Sequence, residues 1–156
     1  MSTPSLPIVS FWNRFKLARA IPPATVGGDG FGWEDPVWWG ERMGDGKGKT
    51  NVPQTVIASF GLQREEGVTP RYTHFGVQIA LWHTNPQTAL LREQEVLLYY
   101  SQFQDVSSGS RGLTFTGWAA QRVYLTQHGI VDSIPIEGGF LYKATVDLHL
   151  VNLKQT

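Results

Sequence analysis

The segment Gly44-Asp45-Gly46-Lys47-Gly48-Lys49-Thr50 is the stretch of this chain closest to a known chemistry. A phosphate-cradling loop needs four residues between its first glycine and the closing Gly-Lys-Thr, with a strand before it and a helix N-terminus behind it. Here three residues intervene, and counting back four lands on Met43. No strand-like run leads in, and Asn51-Val52-Pro53 is a poor start for a helix, so the segment reads as a basic loop. Gly28-Asp29-Gly30-Phe31-Gly32 likewise misses the dinucleotide-binding spacing and reads as turn chemistry.

The other reactive side chains are His74, His83, His128 and His149, and no two of them share a metal-ligand spacing on a helix. His74 and His149 are expected on neighbouring strands near Asp147, a grouping with the chemistry of a metal site or a general base. The plainer reading is partly exposed sheet residues. Glu34 with Asp35, and Glu65 with Glu66, are adjacent carboxylates on loops, which fixes no separation for acid and base roles. Ser107, Ser108 and Ser110 lie in plain loop sequence without a nucleophile elbow. The chain has no cysteine, so disulfides, thiolate catalysis and cysteine-based zinc sites are excluded together. No catalytic residue, metal site or cofactor is expected.

Thirteen basic and thirteen acidic residues cancel, which leaves no field of one sign to draw the chain to nucleic acid or an anionic membrane. The first ten residues lack a basic start and a long apolar core. No apolar run approaches the roughly 20 residues that span a bilayer, so a soluble, unexported protein is expected. At 156 residues, the chain suits a single domain, 1–156, with one core.

The elements that position these side chains are clearest in the second half. Residues 71–83 alternate with period two, placing Phe75, Val77, Ile79 and Leu81 on one side and His74, Gln78 and Trp82 on the other. Residues 140–150 repeat the alternation, with Phe140, Tyr142, Val146, Leu148 and Leu150 opposed to Lys143, Thr145, Asp147 and His149. Between them, Thr84-Asn85-Pro86 sets a capping residue before a proline, which starts a helix over about 86–104. Ala89, Val96, Leu97, Tyr100 and Phe103 share its sheet-facing side. Leu91 and Leu98 fall on the far side and, with Tyr99, form a ridge facing water. Residues 109–125 read as a strand interrupted near Gly117, and 130–139 as a connection.

The first half holds a short amphipathic helix within 6–20, ended by Pro22-Pro23. A Gly- and Trp-rich loop follows over 24–53, anchored by Trp33, Trp38 or Trp39. A strand over 54–62 turns Val56, Ala58, Phe60 and Leu62 to one side, and a hairpin over 54–83 carries a charged tip, Arg64, Glu65 and Glu66. The fold class is α+β: a mainly antiparallel sheet packed by one long helix, with an N-terminal helix and a long loop.

That order of elements resembles the tail terminator proteins of long-tailed bacteriophages. The resemblance spans roughly 54–152 and is carried by FGVQIALWH over 75–83, TNPQTALLR over 84–92 and YKATVDLHL over 142–150. The 24–53 loop is longer than that family's pattern. The resemblance implies a non-enzymatic virion protein of the tail and neck, assembled in the host cytoplasm. In it, a hexameric ring of identical chains caps the tail tube, stops its polymerisation and joins it to the neck. Its partners would be itself, the tail tube protein and a head-completion protein (stopper or connector). Genomic DNA would pass through the lumen without sequence-specific binding, and no membrane or cofactor is involved. A neutral chain suits such a lumen, since it lacks the counterion-driven grip of basic proteins. Candidate contacts are Leu91, Leu98 and Tyr99 on the helix, Trp82 on the opposite sheet face, the loop at Trp38 and Trp39, and the tip Arg64, Glu65 and Glu66. Two other classes compete. One is a ligand- or carbohydrate-binding module built on Trp33, Trp38, Trp39 and Trp118. The other is a hydrolase using His74, Asp147 and His149.

Overall fold

In a computed structural model of the chain, residues 6–20, 33–64, 73–103 and 112–155 are described. Strand β3 (Thr73–His83) lies at the centre of a sheet ordered β1-β2-β3-β7-β6. Its neighbours are β2 (Gln54–Arg64) and β7 (Gly139–Val151), β6 (Arg122–Ile136) lies outside β7, and every one of these pairings is antiparallel. The exception is the short edge strand β1 (Val37–Trp39), which runs parallel to β2 over Thr55, Val56 and Ile57. A small second sheet joins β4 (Leu113–Phe115), β5 (Trp118–Ala120) and β8 (Lys154–Gln155). With helices α1 (Pro7–Ala20) and α2 (Pro86–Ser101), the fold is α+β.

Helix α2 starts where the sequence dictates. The Asn85 side chain accepts hydrogen bonds from the Gln87 N–H at 2.9 Å and the Thr88 N–H at 3.4 Å. Pro86 follows at the first helical position, where an N–H would have no helical partner. The helix ends at Ser101, three residues short of the expected 104, with Gln102 as its C-cap.

Both helices pack on one face of the sheet. Phe75, Val77, Ile79 and Leu81 of β3, Ala144, Val146, Leu148 and Leu150 of β7, and Val123 of β6 form one core with Ala89, Val96, Tyr99 and Tyr100 of α2 and Phe11, Phe15 and Ala18 of α1. Phe11 stacks on Tyr100 at 5.8 Å and Phe15 stacks on the same ring at 6.5 Å, so α1 covers a flank of α2 that sheet packing alone would leave open. Burial of each such side chain stabilises the fold by roughly 2 kcal/mol. A second, smaller cluster of Val56, Ala80, Trp82 and Leu141 occupies the opposite face.

That second cluster decides which way β2 faces. Alternation placed Val56, Ala58, Phe60 and Leu62 on one side, and at Val56 that side turns to the outer cluster while Ile57 is buried against the helices. A run with apolar residues on both sides fixes the alternation and leaves the choice of inner face open. The register then slips between Ser59 and Gly61, and the bulge leaves Phe60 half exposed. Phe140 is also exposed, whereas Leu141 beside it is buried. Residues 130–136, expected as a connection, continue β6 to a turn at 137–138, because two further register shifts break the alternation without ending the strand. Around Gly117 the chain forms the β4–β5 hairpin, where φ of +81° suits glycine. The 24–53 stretch is no continuous loop, since β1 lies within it. Pro22-Pro23 and the hairpin tip at 65–72 fall outside the described residues.

Glu93 of α2 ties the helix layer to the first of the β6 bulges. Its carboxylate is fully buried and accepts hydrogen bonds from the Gly129 N–H at 3.0 Å and from the Gln127 side-chain amide. The bulge frees that N–H from the ladder, and the carboxylate takes it up. Replacing Glu93 with Ala leaves the half-buried Gly129 N–H without its acceptor, while the exposed Gln127 amide can turn to water, and is expected to lower stability by about 2 kcal/mol, read as a lower urea midpoint. His83 makes a pH-sensitive contact, because its Nδ1 accepts from the Asn85 N–H at 3.1 Å and must be unprotonated to do so. Burial pushes the His83 pKa down, with the Arg92 charge adding to the effect and the Asp35 charge opposing it. A depressed histidine pKa means the unfolded chain binds the proton more readily. Its contribution is therefore present above the ordinary histidine value and is lost as pH falls through the lower folded value. His83→Gln should flatten the stability–pH curve across that acid window in thermal melts.

Candidate assembly surfaces

The Gly-Lys loop is held by contacts within itself. The buried Gln54 side chain accepts from the Gly44 N–H at 2.8 Å and donates to the carbonyls of Thr50 at 3.0 Å and Val52 at 3.2 Å. The Trp38 indole N–H donates to the Gly44 carbonyl at 2.6 Å, and Arg42 donates to the Thr50 carbonyl and, at 2.7 Å, to the Asn51 side chain. Inside the turn, one Asp45 oxygen accepts from the Lys47 N–H at 2.7 Å and the Lys49 N–H at 3.1 Å. Those N–H groups hold the Asp45 carboxyl below the usual carboxylate range, the Lys47 N–H most of all. The amides that would cradle a phosphate are thus already turned onto a carboxylate of the loop itself.

The histidines do not gather as a hydrolase requires. Asp147 pairs with His128, Nε2 to Oδ2 at 2.7 Å, and its other oxygen accepts from Gln78 at 3.2 Å. His74 stands exposed opposite Gln63, and His149 packs edge-on to Phe60 at 5.1 Å. His128 is the imidazole that reaches Asp147, because it is the extra residue of the bulge between Gln127 and Gly129, a displacement that period-two counting does not register. Among the described residues, no three His, Cys, Asp or Glu side chains are placed to hold a metal ion.

The tryptophans also separate. Trp33 is buried and donates to Glu95 at 2.6 Å with Arg92 over its ring, while Asp35 pairs with Arg92 at 3.0 Å. That contact anchors the loop on α2. Trp118 is buried in the wall of an open cleft of about 420 Å³ between α1 and the β4–β5 hairpin, lined also by Asn13, Arg14, Leu17 and Thr116. Trp38 is half-buried, and Trp39 is exposed and packs 6.4 Å from Trp12. Trp33, Trp38, Trp39 and Trp118 therefore form no shared platform.

Of the helix ridge, Leu91 is 59% exposed and Leu90 stands beside it in solvent. Leu98 is half-buried. Tyr99 is 1% exposed, contrary to its expected place on the ridge. Its ring lies under the Arg14 guanidinium and against Phe103, on the flank that α1 covers. Trp82 is likewise buried, because Arg42 from the loop and Lys143 from β7 approach its ring to 5.1 and 5.5 Å of the centroid. Arg64 ends β2, and Glu65 and Glu66 lie outside the described residues.

No protein-family model and no curated protein matches this chain.

On the main sheet, the exposed apolar side chains that sequence reasoning missed are Phe60, Tyr124, Ile130, Val131 and Phe140. Phe60 and Tyr124 share the outer sheet face with His149, in a row crossing Gly76. A Cβ on Gly76 would sit 2.3 Å from the Phe60 ring, so glycine is what lets that ring lie against β3. Glycine in a strand marks such close approach, and this was the one signal in the sequence. At Gly44, φ is +83° and an added Cβ would lie 1.9 Å from the Lys49 carbonyl oxygen. Gly44→Ala is expected to open the loop at a cost of about 2 kcal/mol, with altered Trp38 fluorescence as the readout.

Proposed function

We propose that this chain is a structural ring subunit of the phage neck, a tail terminator that caps the tail tube and joins it to the head connector. One observation carries the reading: large apolar side chains stand in water at separate places on the surface of a neutral chain. They are Leu90 and Leu91 on α2, Trp39 at the end of β1 and Met43 in the loop after it, Phe60 and Tyr124 on the outer face, and Phe140 on the long hairpin. Single exposed apolar residues are ordinary, but here they fall in unlike groups on different elements, and a ring needs two unlike patches on every copy.

In this reading the six copies close head to tail, and other segments serve the other partners. The stretch around Trp38 and Trp39 and the residues Arg64, Glu65 and Glu66 are assigned to the tail tube and the neck protein. The role is mechanical, DNA passes without being read, and the chain needs no cofactor.

Sedimentation of the purified chain, alone and mixed with uncapped tail tubes, tests the reading. A six-chain particle, or rings seen on tube ends in negative stain, is the expected result. A monomer that leaves tubes uncapped refutes it. Leu90→Glu with Leu91→Glu is expected to reduce the assembled fraction at least tenfold, by light scattering, if α2 lies in a subunit contact. An unchanged mass excludes that surface.

A further inference from the structure

We propose that neighbouring copies join edge to edge, the first half of β6 pairing antiparallel with the second half of β2 from a second copy, so that Tyr124 of one meets Phe60 of the other. The inference rests on the ring reading above and names its seam.

Among the described residues the two edges are open and unlike. β1 covers β2 only at Thr55, Val56 and Ile57, and no described strand is laddered to the outer side of 58–64 or of 123–127. An open edge presents a row of N–H and C=O groups that another strand can take up. Strand directions alternate from β2 through β3 and β7 to β6, so β6 runs opposite to β2. A second copy in the same orientation therefore offers β2 to β6 with antiparallel polarity.

The edges also stand at one height. Gly61 aligns through Gly76 and His149 with Tyr124, and Leu62 aligns through Phe75 and Leu150 with Val123. A rotation without sliding brings them together. The far half of β6 is unsuited to pairing, since it holds two register shifts, Asp132 and Pro135, while 122–127 keeps a regular ladder to β7. On β2 the bulge at Phe60 interrupts the edge once and turns its ring onto the outer face beside His149.

Phe60 and Tyr124 are each 51% exposed and lie at opposite ends of the same row. The proposed joint places them side by side, continues the row from copy to copy and removes both from water. Because the edges differ, the contact is head to tail, the kind that closes a ring.

The chain lacks cysteine, so a double variant Phe60→Cys, Tyr124→Cys reports the seam directly. Within one chain these positions are three strand spacings apart, about 14 Å, beyond the roughly 7 Å limit for a disulfide. Mild oxidation is expected to give a ladder of covalent multimers up to the ring on a non-reducing gel, and neither single variant should crosslink. An assembly of intact mass with no ladder overturns the seam and leaves the ring reading standing. Dimers from Tyr124→Cys alone overturn it in favour of β6 pairing with itself. A monomer in sedimentation, alone and with tubes, that gives no ladder overturns both. If the double variant does not fold, Tyr124→Lys supplies the test: it should reduce assembly at least tenfold, and adding Phe60→Glu should restore it. Failure of that restoration also overturns the seam.

Discussion

Both helices lie on the same side of the five-stranded sheet, and the rest of the molecule follows from that constraint. The helix side collects the aromatic core around Tyr100, Phe11 and Phe15, leaving the other side with the small cluster at Trp82 as its apolar anchor. A long sheet covered once must make its second face polar, shield it with a loop, or leave apolar groups in water. This chain does all three. Asp147, Gln78 and His128 supply a hydrogen-bonded polar patch, Arg42 reaches from the loop over Trp82, and Phe60 with Tyr124 remain half exposed.

Much of the helix side was legible in the sequence because its periods were unmixed. β3 alternates without interruption, and the Asn85-Pro86 cap marks the start of α2. Legibility failed where one element is covered by more than one neighbour. Tyr99 looked like a surface residue because a single packed face was assumed for α2, whereas α1 covers a second flank. Trp82 looked exposed because the loop that brings Arg42 to it carries no period at all. The bulges in β2 and β6 were invisible for a related reason: an extra residue reverses the alternation locally, and nothing in residue type alone distinguishes that from a turn. The exposed Phe60 was lost with it.

Glu93 shows how a buried charge is accommodated in such a layer. A carboxylate inside an α/β interface is costly unless every donor near it is aimed correctly, and here the β6 bulge provides a free N–H while Gln127 provides an amide. The helix reads as if Glu93 were merely one more polar position. Only the strand partner, 36 residues away along the chain, explains it.

The Asp45 turn bears on how the chain would behave among nucleotides. Its amides face a carboxylate that is covalently tethered and always at hand, so a free triphosphate must compete against a resident of very high effective concentration. A sequence that nearly spells an energy-coupling motif thereby spends those amides on closing its own turn.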